Sequence, residues 1–355
     1  MRTLLWMIGR LLVGLSWIYC VGIAVLALLW LAGIQGIWWL DLANVFALCL
    51  FVPLLLLAPI AWLFPAQRLR GATALVVVAF FGLFGSRFIP PAAQLTGGAP
   101  LQLATFNLHY GIDEAQLSDR IAAIRAQHAD VIALQELSIP AAAAIQRELI
   151  REYPYQALAP SESFTGMGVI SRYALELLPP PPQLAAQLAL VRVGSVDVTL
   201  INVSLTSPEL KQRRLPIVRW VKGLGGYRTS KRSRDVKRLL QLIDQVRGPL
   251  VVAGDFNLSD READYSQFAA RLHDAYRETS WGFGHTYPNS LRLAGVPIAL
   301  PLTRIDYIWS AGGVVPAATW VACGSESDHC MVIADVQVGD GSTQSSVLNY
   351  VYAQI

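Results

Sequence analysis

Five short strings, each closing an apolar run, carry residue types suited to phosphoryl chemistry. In chain order they are LATFNLHYG with Asn107, DVIALQEL with Glu136, LVVAGDFN with Asp255 and Asn257, TRIDYIW with Asp306, and SDH with Asp328 and His329. Polar groups at the ends of apolar strands can be held by a rigid sheet so that they converge. Carboxylates together with substrate oxygens and water are what Mg²⁺ accepts, and Mn²⁺ is a substitute for it. Amides and an imidazolium can hydrogen-bond a phosphate whose charge grows during displacement. Each string alone also has a plain structural explanation. An Asn after a strand commonly caps a turn, and GDFN suits a tight turn. Glu136 fits a solvated strand end, and SDH fits a helix-cap loop. Five such pieces in one chain are harder to explain that way, and together they suit phosphoryl chemistry.

The hydrophobic pattern supplies the elements that must position them. Strands are expected at Leu101–Phe106, Val131–Leu134, Leu250–Ala253, Ile305–Trp309 and Met331–Val338. Leu188–Val193 and Val196–Val203 read as a hairpin turned at Gly194-Ser195. Leu117, Ile121, Ile124 and His128 recur at helical spacing, as do Val236, Leu239, Leu240 and Ile243, and Ala141–Ile150 is a good helix former. Hairpins mixed with α/β units predict an α/β fold, a four-layer α-β-β-α sandwich of two packed mixed sheets with helices outside. This domain occupies residues 101–340, with Pro179–Pro182 as a rigid surface connection and 341–355 as a C-terminal tail.

The first 89 residues differ in kind. The whole chain is 54% hydrophobic and only 15% charged, and most of that bias sits before Pro90. Three transmembrane helices are expected, at Leu11–Ile34, Leu42–Phe64 and Ala72–Phe88, the second with Pro53 and Pro59 that a membrane helix tolerates. Arg2 and Arg10 precede the first span, Arg68 and Arg70 follow the second, and Asp41 is the charge between them. The positive-inside rule then places the N-terminus in the cytoplasm and everything after the third span outside. Residues 90–100, with Pro90, Pro91, Gly97, Gly98 and Pro100, form a short linker that keeps the next domain near the bilayer.

The ordered strings resemble the endonuclease/exonuclease/phosphatase superfamily over Leu101 to Val338, with GDFN, RIDYIW and SDH the most specific parts. The anchor together with GFGHTYP at Gly282–Pro288 is similar to membrane-bound bacterial members of the vancomycin/teicoplanin-resistance J type. The resemblance implies that Glu136 binds the metal with help from Asn107 and Asp328. It implies that Asp255 deprotonates the attacking water, that Asn257 holds a phosphate oxygen, and that His329, paired with Asp306, stabilises the transition state. Ser204, in INVSLTSP, stands where relatives of the sphingomyelinase and phosphatase type carry His, which removes a charge-assisted contact worth about 1.5–3 kcal/mol. Lys211, Arg213 or Arg214 would substitute for it, with surface solubility as the alternative role. His109 either lines the cleft or is a hydrogen-bonded structural residue; His285 shapes a loop.

The expected partners are the lipid bilayer and a phosphorylated, lipid-linked envelope substrate; no protein partner is expected. Nucleic acid is the second choice, because the net charge is only +3 and the basic run Arg228–Arg238 also suits a solvated helix start. A non-catalytic module binding a phosphorylated ligand is the reading from another class. Pro216–Tyr227, with apolar residues at helical spacing, and Leu293–Leu302 are expected to flank the site and face the bilayer. Cys323 and Cys330 flank the SDH loop; in a domain outside the cytoplasm they can bridge and staple that loop if their Cα atoms lie within about 4.4–6.8 Å, and the favoured alternative is that Cys330 merely opens a buried strand.

Overall fold

The computed structural model describes residues 2–63, 67–91, 97–111, 114–214, 222–289, 291–293, 296–298, 300–324 and 327–339. The chain divides into two units, Met1–Ile89 and Pro90–Ile355.

The first unit contains α1 (Arg2–Leu31), α2 (Trp38–Val45), α3 (Leu54–Leu63) and α4 (Gln67–Phe84). Trp6–Leu31 and Gln67–Phe88 are each long and apolar enough to cross a membrane. The expected middle span is corrected. Instead of one helix over Leu42–Phe64, α2 and the stretch Cys49–Leu63 meet at 86°, which makes a broken span or a re-entrant loop. Phe46 leaves helical angles directly after α2 (φ −109°, ψ 29°), and the bend falls between Val45 and Cys49; Pro53 lies beyond it, in the turn before α3, where Val52 keeps helical angles (φ −55°, ψ −41°). Polar side chains serve the backbone and polar groups freed there: the Tyr19 hydroxyl donates to the Leu50 carbonyl at 3.0 Å, and Trp30 Nε1 donates to buried Asn44.

The second unit opens with β1 (Ala99–Asn107), α5 (Glu114–Gln127), β2 (Val131–Gln135), α6 (Ile139–Leu149), β3 (Tyr155–Ala159), β4 (Met167–Ser171) and β5 (Leu175–Leu178). It continues with β6 (Ala186–Val193), β7 (Val196–Ser204), β8 (Glu209–Arg214), β9 (Lys222–Arg228), α7 (Ser230–Ile243) and β10 (Leu250–Asp255). Then come α8 (Ala263–Ala269), β11 (His273–Asp274), α9 (Ala275–Thr279), β12 (Leu291–Leu293), β13 (Val296–Ile298), β14 (Asp306–Ala311), β15 (Val314–Ala322) and β16 (Met331–Val338).

Two six-stranded mixed sheets result, ordered β15-β16-β1-β2-β4-β3 and β11-β14-β10-β7-β6-β5. The alternation along each strand explains the layering. Leu101, Leu103, Val131 and Val169 of the first sheet meet Val191, Leu200, Val251 and Ile308 of the second in one buried cluster. The residues between them point the other way. Ala104, Phe106, Ile132 and Leu134 pack under Ile121, Ile124, Ile145 and Leu149 of α5 and α6. Ile201, Val203 and Val252 pack under Val236, Leu239 and Ile243 of α7 and Phe268 of α8. The expected layers are therefore present.

Some elements differ from expectation. β3, β4, β5, β15 and α8 were not anticipated, and the helical spacing across Pro216–Tyr227 gives way, over its described part, to β9, paired with β8. Gly223, Gly225 and Gly226 weaken a helix here by about 1 kcal/mol each, and the pairing with β8 supplies the backbone partners of the strand instead. Trp220 lies outside the described residues. The apolar stretch Leu293–Leu302 begins in the β12–β13 hairpin, and its side chains over 293–299 are outside the description.

Candidate active site

Parallel pairing brings the strand ends together. β1 runs parallel to β2 with Asn107 opposite Gln135, so Glu136 follows directly beside Asn107. In the second sheet β7 runs parallel to β10, and β14 runs antiparallel to it. The register aligns Ser204, Asp255 and Asp306 across three neighbouring strands. Gly254 is obligatory in this row: a Cβ there would lie 2.0 Å from the Val203 carbonyl oxygen, and its φ is +148°.

Asp255 is buried and receives several donors. Its Oδ1 accepts from the Asn257 backbone N–H at 2.9 Å, and its Oδ2 accepts from Asn257 Nδ2 at 3.0 Å and Asn107 Nδ2 at 3.1 Å. Burial is the largest influence on its acidity and pushes the pKa up to about 7, with Asp306 and Glu136 adding to it against His329 and the Asn257 N–H. His329 lies between two carboxylates: Nδ1 donates to Asp306 Oδ2 at 2.9 Å, and Nε2 is 4.0 Å from Asp255 Oδ2. Burial alone would favour a neutral ring. The charges of Asp306 and then Asp255 overcome it and raise the pKa to about 10. The ring is an imidazolium at neutral pH.

Glu136 forms a second corner. Its Oε1 accepts from Asn107 Nδ2 at 3.1 Å and its Oε2 from the Tyr110 N–H at 2.8 Å. One buried amide nitrogen thus touches both Glu136 and Asp255, and the Asn107 oxygen accepts from the His109 N–H at 2.9 Å. His109 does line this corner, with Nδ1 2.8 Å from Asp328 Oδ1. The contact with Asp328 raises the His109 pKa against the effect of burial. Burial is likewise the largest influence on Asp328, but His109 and His329 outweigh it and hold the carboxyl below its usual range. Three of the five non-glycine residues with positive φ among those described are His109 (57°), Glu136 (54°) and Asn257 (51°). Backbone strain therefore concentrates where the polar groups converge.

Ser204 sits in the row as expected, half-buried beside Asp255. Arg213 belongs to β8, and its side chain lies outside the described residues. His285 is a loop-shaping residue: its Nδ1 meets the Pro301 carbonyl at 3.1 Å, and burial lowers its pKa.

Supporting residues that were not singled out from the sequence surround these groups. Ser327 Oγ donates to the Asn107 carbonyl and accepts from the His329 N–H. Asn289 donates from its backbone to the Asp328 carbonyl and from Nδ2 to the Ser327 carbonyl. Thr286 Oγ1 accepts from the Asp306 N–H at 3.3 Å, and the Tyr287 ring lies 5.0 Å from that of His329. Cys323 and Cys330 form a disulfide with Cα atoms 4.5 Å apart, which corrects the favoured alternative that Cys330 merely opens a buried strand and closes the loop carrying Asp328 and His329. Arg232 is buried and donates to the Asn257 carbonyl and to Glu262. Its position on the apolar face of α7, four residues before Val236, was a readable signal. Gln135, Thr105 and Asn202 form a buried polar network between the sheets. A lone amide inside each apolar strand was the clue to it.

Asp255, Asp306 and His329 offer ligand atoms within 4.8 Å of one another. His329 Nδ1 is, however, already committed to Asp306. The hard oxygen donors of Glu136, with Asn107 and Asp328 nearby, fit a divalent cation better.

The chain is a two-sheet α/β sandwich with carboxylates, amides and an imidazole gathered at its strand ends. The comparisons give that architecture its family. The profile of the Endonuclease/Exonuclease/phosphatase family matches residues 104–329, and the chain belongs to this family. Its members are generally metal-dependent hydrolases, phosphodiesterases and nucleases among them. No curated protein sequence matches the chain. Among solved structures, the endonuclease/exonuclease/phosphatase from Bacteroides vulgatus aligns over 67% of this chain and 99% of its own, at 17% identity and a TM-score of 0.52. The endonuclease/exonuclease/phosphatase from Beutenbergia cavernae aligns over 68% and 72%, at 22% identity and a TM-score of 0.44.

Proposed function

We propose that this chain is a membrane-anchored, Mg²⁺-dependent hydrolase of phosphate ester or pyrophosphate bonds acting on a lipid-linked envelope substrate. The observation that carries the chemistry is the buried Asp306–His329–Asp255 arrangement, joined to Glu136 through Asn107. Glu136, with Asn107 and Asp328, would hold a divalent cation, which when bound would supply charge neutralisation at the phosphate. Asp255, with its raised pKa, takes the proton from the attacking water. Asn257 orients Asp255 and offers its amide to a phosphate oxygen. The His329 imidazolium, kept charged by Asp306, donates to the phosphate as negative charge grows.

The apolar helices and the short linker support a membrane-borne substrate, as does the likeness of GFGHTYP to the J-type branch. The disulfide supports an oxidising, extracytoplasmic side for the domain. That side requires the bent segment in the first unit to cross the bilayer; a re-entrant segment would leave the domain on the side of the N-terminus. Against a nuclease stands the fate of the basic run. Within it Arg232 faces inward to Asn257 and Glu262, Lys231 pairs with Glu209, and Arg238 binds Gln183.

The test is a panel with full-length protein, comparing phospholipid, polyprenyl pyrophosphate and DNA with Mg²⁺, with Mn²⁺ and with chelator. Chelator-sensitive release of phosphate or headgroup from a lipid substrate is expected. Turnover of DNA alone would make the chain a nuclease, and no turnover of any substrate would leave a phosphate-binding module.

A further inference from the structure

Three exposed apolar side chains sit on segments tied to the Glu136 corner, where the chemistry of phosphate does not require them. Tyr110, Ile139 and Phe164 are 36%, 50% and 67% exposed, and all three belong to segments tied to Glu136. The Tyr110 N–H donates to Glu136 Oε2, and its hydroxyl donates to the Glu162 carbonyl. Ile139 begins α6 three residues after Glu136, and the preceding Ser138 bridges to Ser161. The segment bearing Phe164 is stapled to the same corner. Ser161 N–H donates to the Leu137 carbonyl at 3.0 Å, and Leu137 N–H donates to the Gly166 carbonyl at 2.9 Å. Gly166 permits that approach, since a Cβ there would stand 2.0 Å from the Leu137 oxygen. Between the stapled ends, the hydroxyls of Ser161, Ser163 and Thr165 hydrogen-bond to one another. The loop is thus built, and it holds a phenylalanine outward.

We propose that Tyr110, Ile139 and Phe164 form a collar that receives the apolar chain attached to the substrate phosphate. This rests on the proposed phosphate chemistry at Glu136. Charge decides between an apolar chain and a nucleic-acid strand. The segment 152–171 that carries Phe164 has no Lys or Arg and places Glu162 two residues before the ring, so it offers a polyanionic backbone repulsion and no neutralising cation of its own. An alkyl or prenyl chain carries no such charge and gains by covering the exposed rings.

The experiment uses butyl-, hexyl- and octylphosphonate, which carry the phosphorus head and resist hydrolysis, titrated calorimetrically with Mg²⁺ into the full chain in nanodiscs. Empty nanodiscs supply the partition background. Affinity is expected to rise with length, by at most about four-fold per methylene. Phe164→Ser and, separately, Ile139→Gln should each flatten that rise, with butylphosphonate binding changed less than about two-fold on the same scale. A wild-type affinity independent of length, or a rise unchanged in both variants, overturns the collar. So does a flat phosphonate series accompanied by weaker nucleoside monophosphate binding in Phe164→Ser, which would assign the ring to base stacking. If length dependence holds but the substrate panel shows no turnover, the hydrolase reading fails and the collar stands.

Discussion

Asp306→Asn isolates the charge that keeps His329 protonated. The substitution preserves side-chain volume, and the amide oxygen can still accept from Nδ1, so geometry is retained while charge is lost. The raised pKa, from 6.5 to about 10, corresponds to roughly 5 kcal/mol of preference for the charged ring. Asp306 is the largest source of that preference, and burial opposes it. Without Asp306, Asp255 remains at 4.0 Å but must share its oxygens with Asn107 and Asn257. The ring should then be neutral at pH 7.5. A neutral imidazole still donates one hydrogen bond to the phosphate but brings no charge, a loss of about 1.5–3 kcal/mol, or roughly ten- to hundred-fold in rate. The assay is kcat and KM on a small chromogenic phosphodiester at saturating Mg²⁺, beside an ¹⁵N NMR titration of the imidazole. The expected result is a fall in kcat of about 10²-fold, a ring that titrates below neutrality, and an unfolding midpoint close to wild type. A variant with kcat within about three-fold of wild type would refute the reasoning, as would a ring still protonated in alkaline buffer.

Asp255→Asn and His329→Ala should each abolish measurable hydrolysis while circular dichroism stays unchanged, and either variant retaining most of its rate would remove that residue from the mechanism. Because Asp255 must be ionised to take a proton, kcat/KM should fall as pH drops below about 7, with the midpoint moved lower by a bound cation; a flat acid limb down to pH 4 would exclude it as the base. Ser204→His should preserve or raise the rate if this position faces the phosphate, and a sharp loss would show that the hydroxyl has its own role. Asp274, buried against Arg304 at 2.6 Å, has a pKa held low: burial opposes the charge, and Arg304 outweighs it. Its depressed folded pKa means that the contribution is present above the unfolded value near 3.9 and lost as pH falls through the folded value. Asp274→Asn should cost up to about 3 kcal/mol by denaturant titration, because buried Arg304 loses its nearest carboxylate and is left with Asp260 at 3.6 Å; a loss under about 1 kcal/mol would contradict the pairing. A reporter fused after Pro100 should be active only outside the cytoplasm, and intact mass should show Cys323 and Cys330 without free thiols; a cytoplasm-active reporter would reverse the topology.

What could be read from the sequence were features set by near neighbours in the chain. The strand ends at Asn107, Glu136 and Asp255 were visible because apolar runs of buried-strand length stop there, and the layers followed from mixed helical and alternating periods. Leu200 and the β-branched Ile201 and Val203, within Val196–Ser204, read as a buried strand. The edge strands β3 and β5 did not declare themselves, because half-exposed side chains leave no strong alternation. The prolines of the second apolar segment are plain in the sequence, but both lie within Cys49–Leu63, and the 86° bend between Val45 and Cys49 has no proline to mark it. Tertiary structure alone decided three things at the site. It set the register that aligns Ser204, Asp255 and Asp306, since a one-residue slip would turn every side chain over. It joined Cys323 to Cys330, which depends on how β15 and β16 converge. And it gave Asp255 and His329 their raised pKa values, because a charge's cost is set by burial and by partners far away in sequence. Asn107 shows the division most plainly: its type and strand-end position are local facts, but its contact with Asp255, 148 residues on, exists only because two sheets pack face to face.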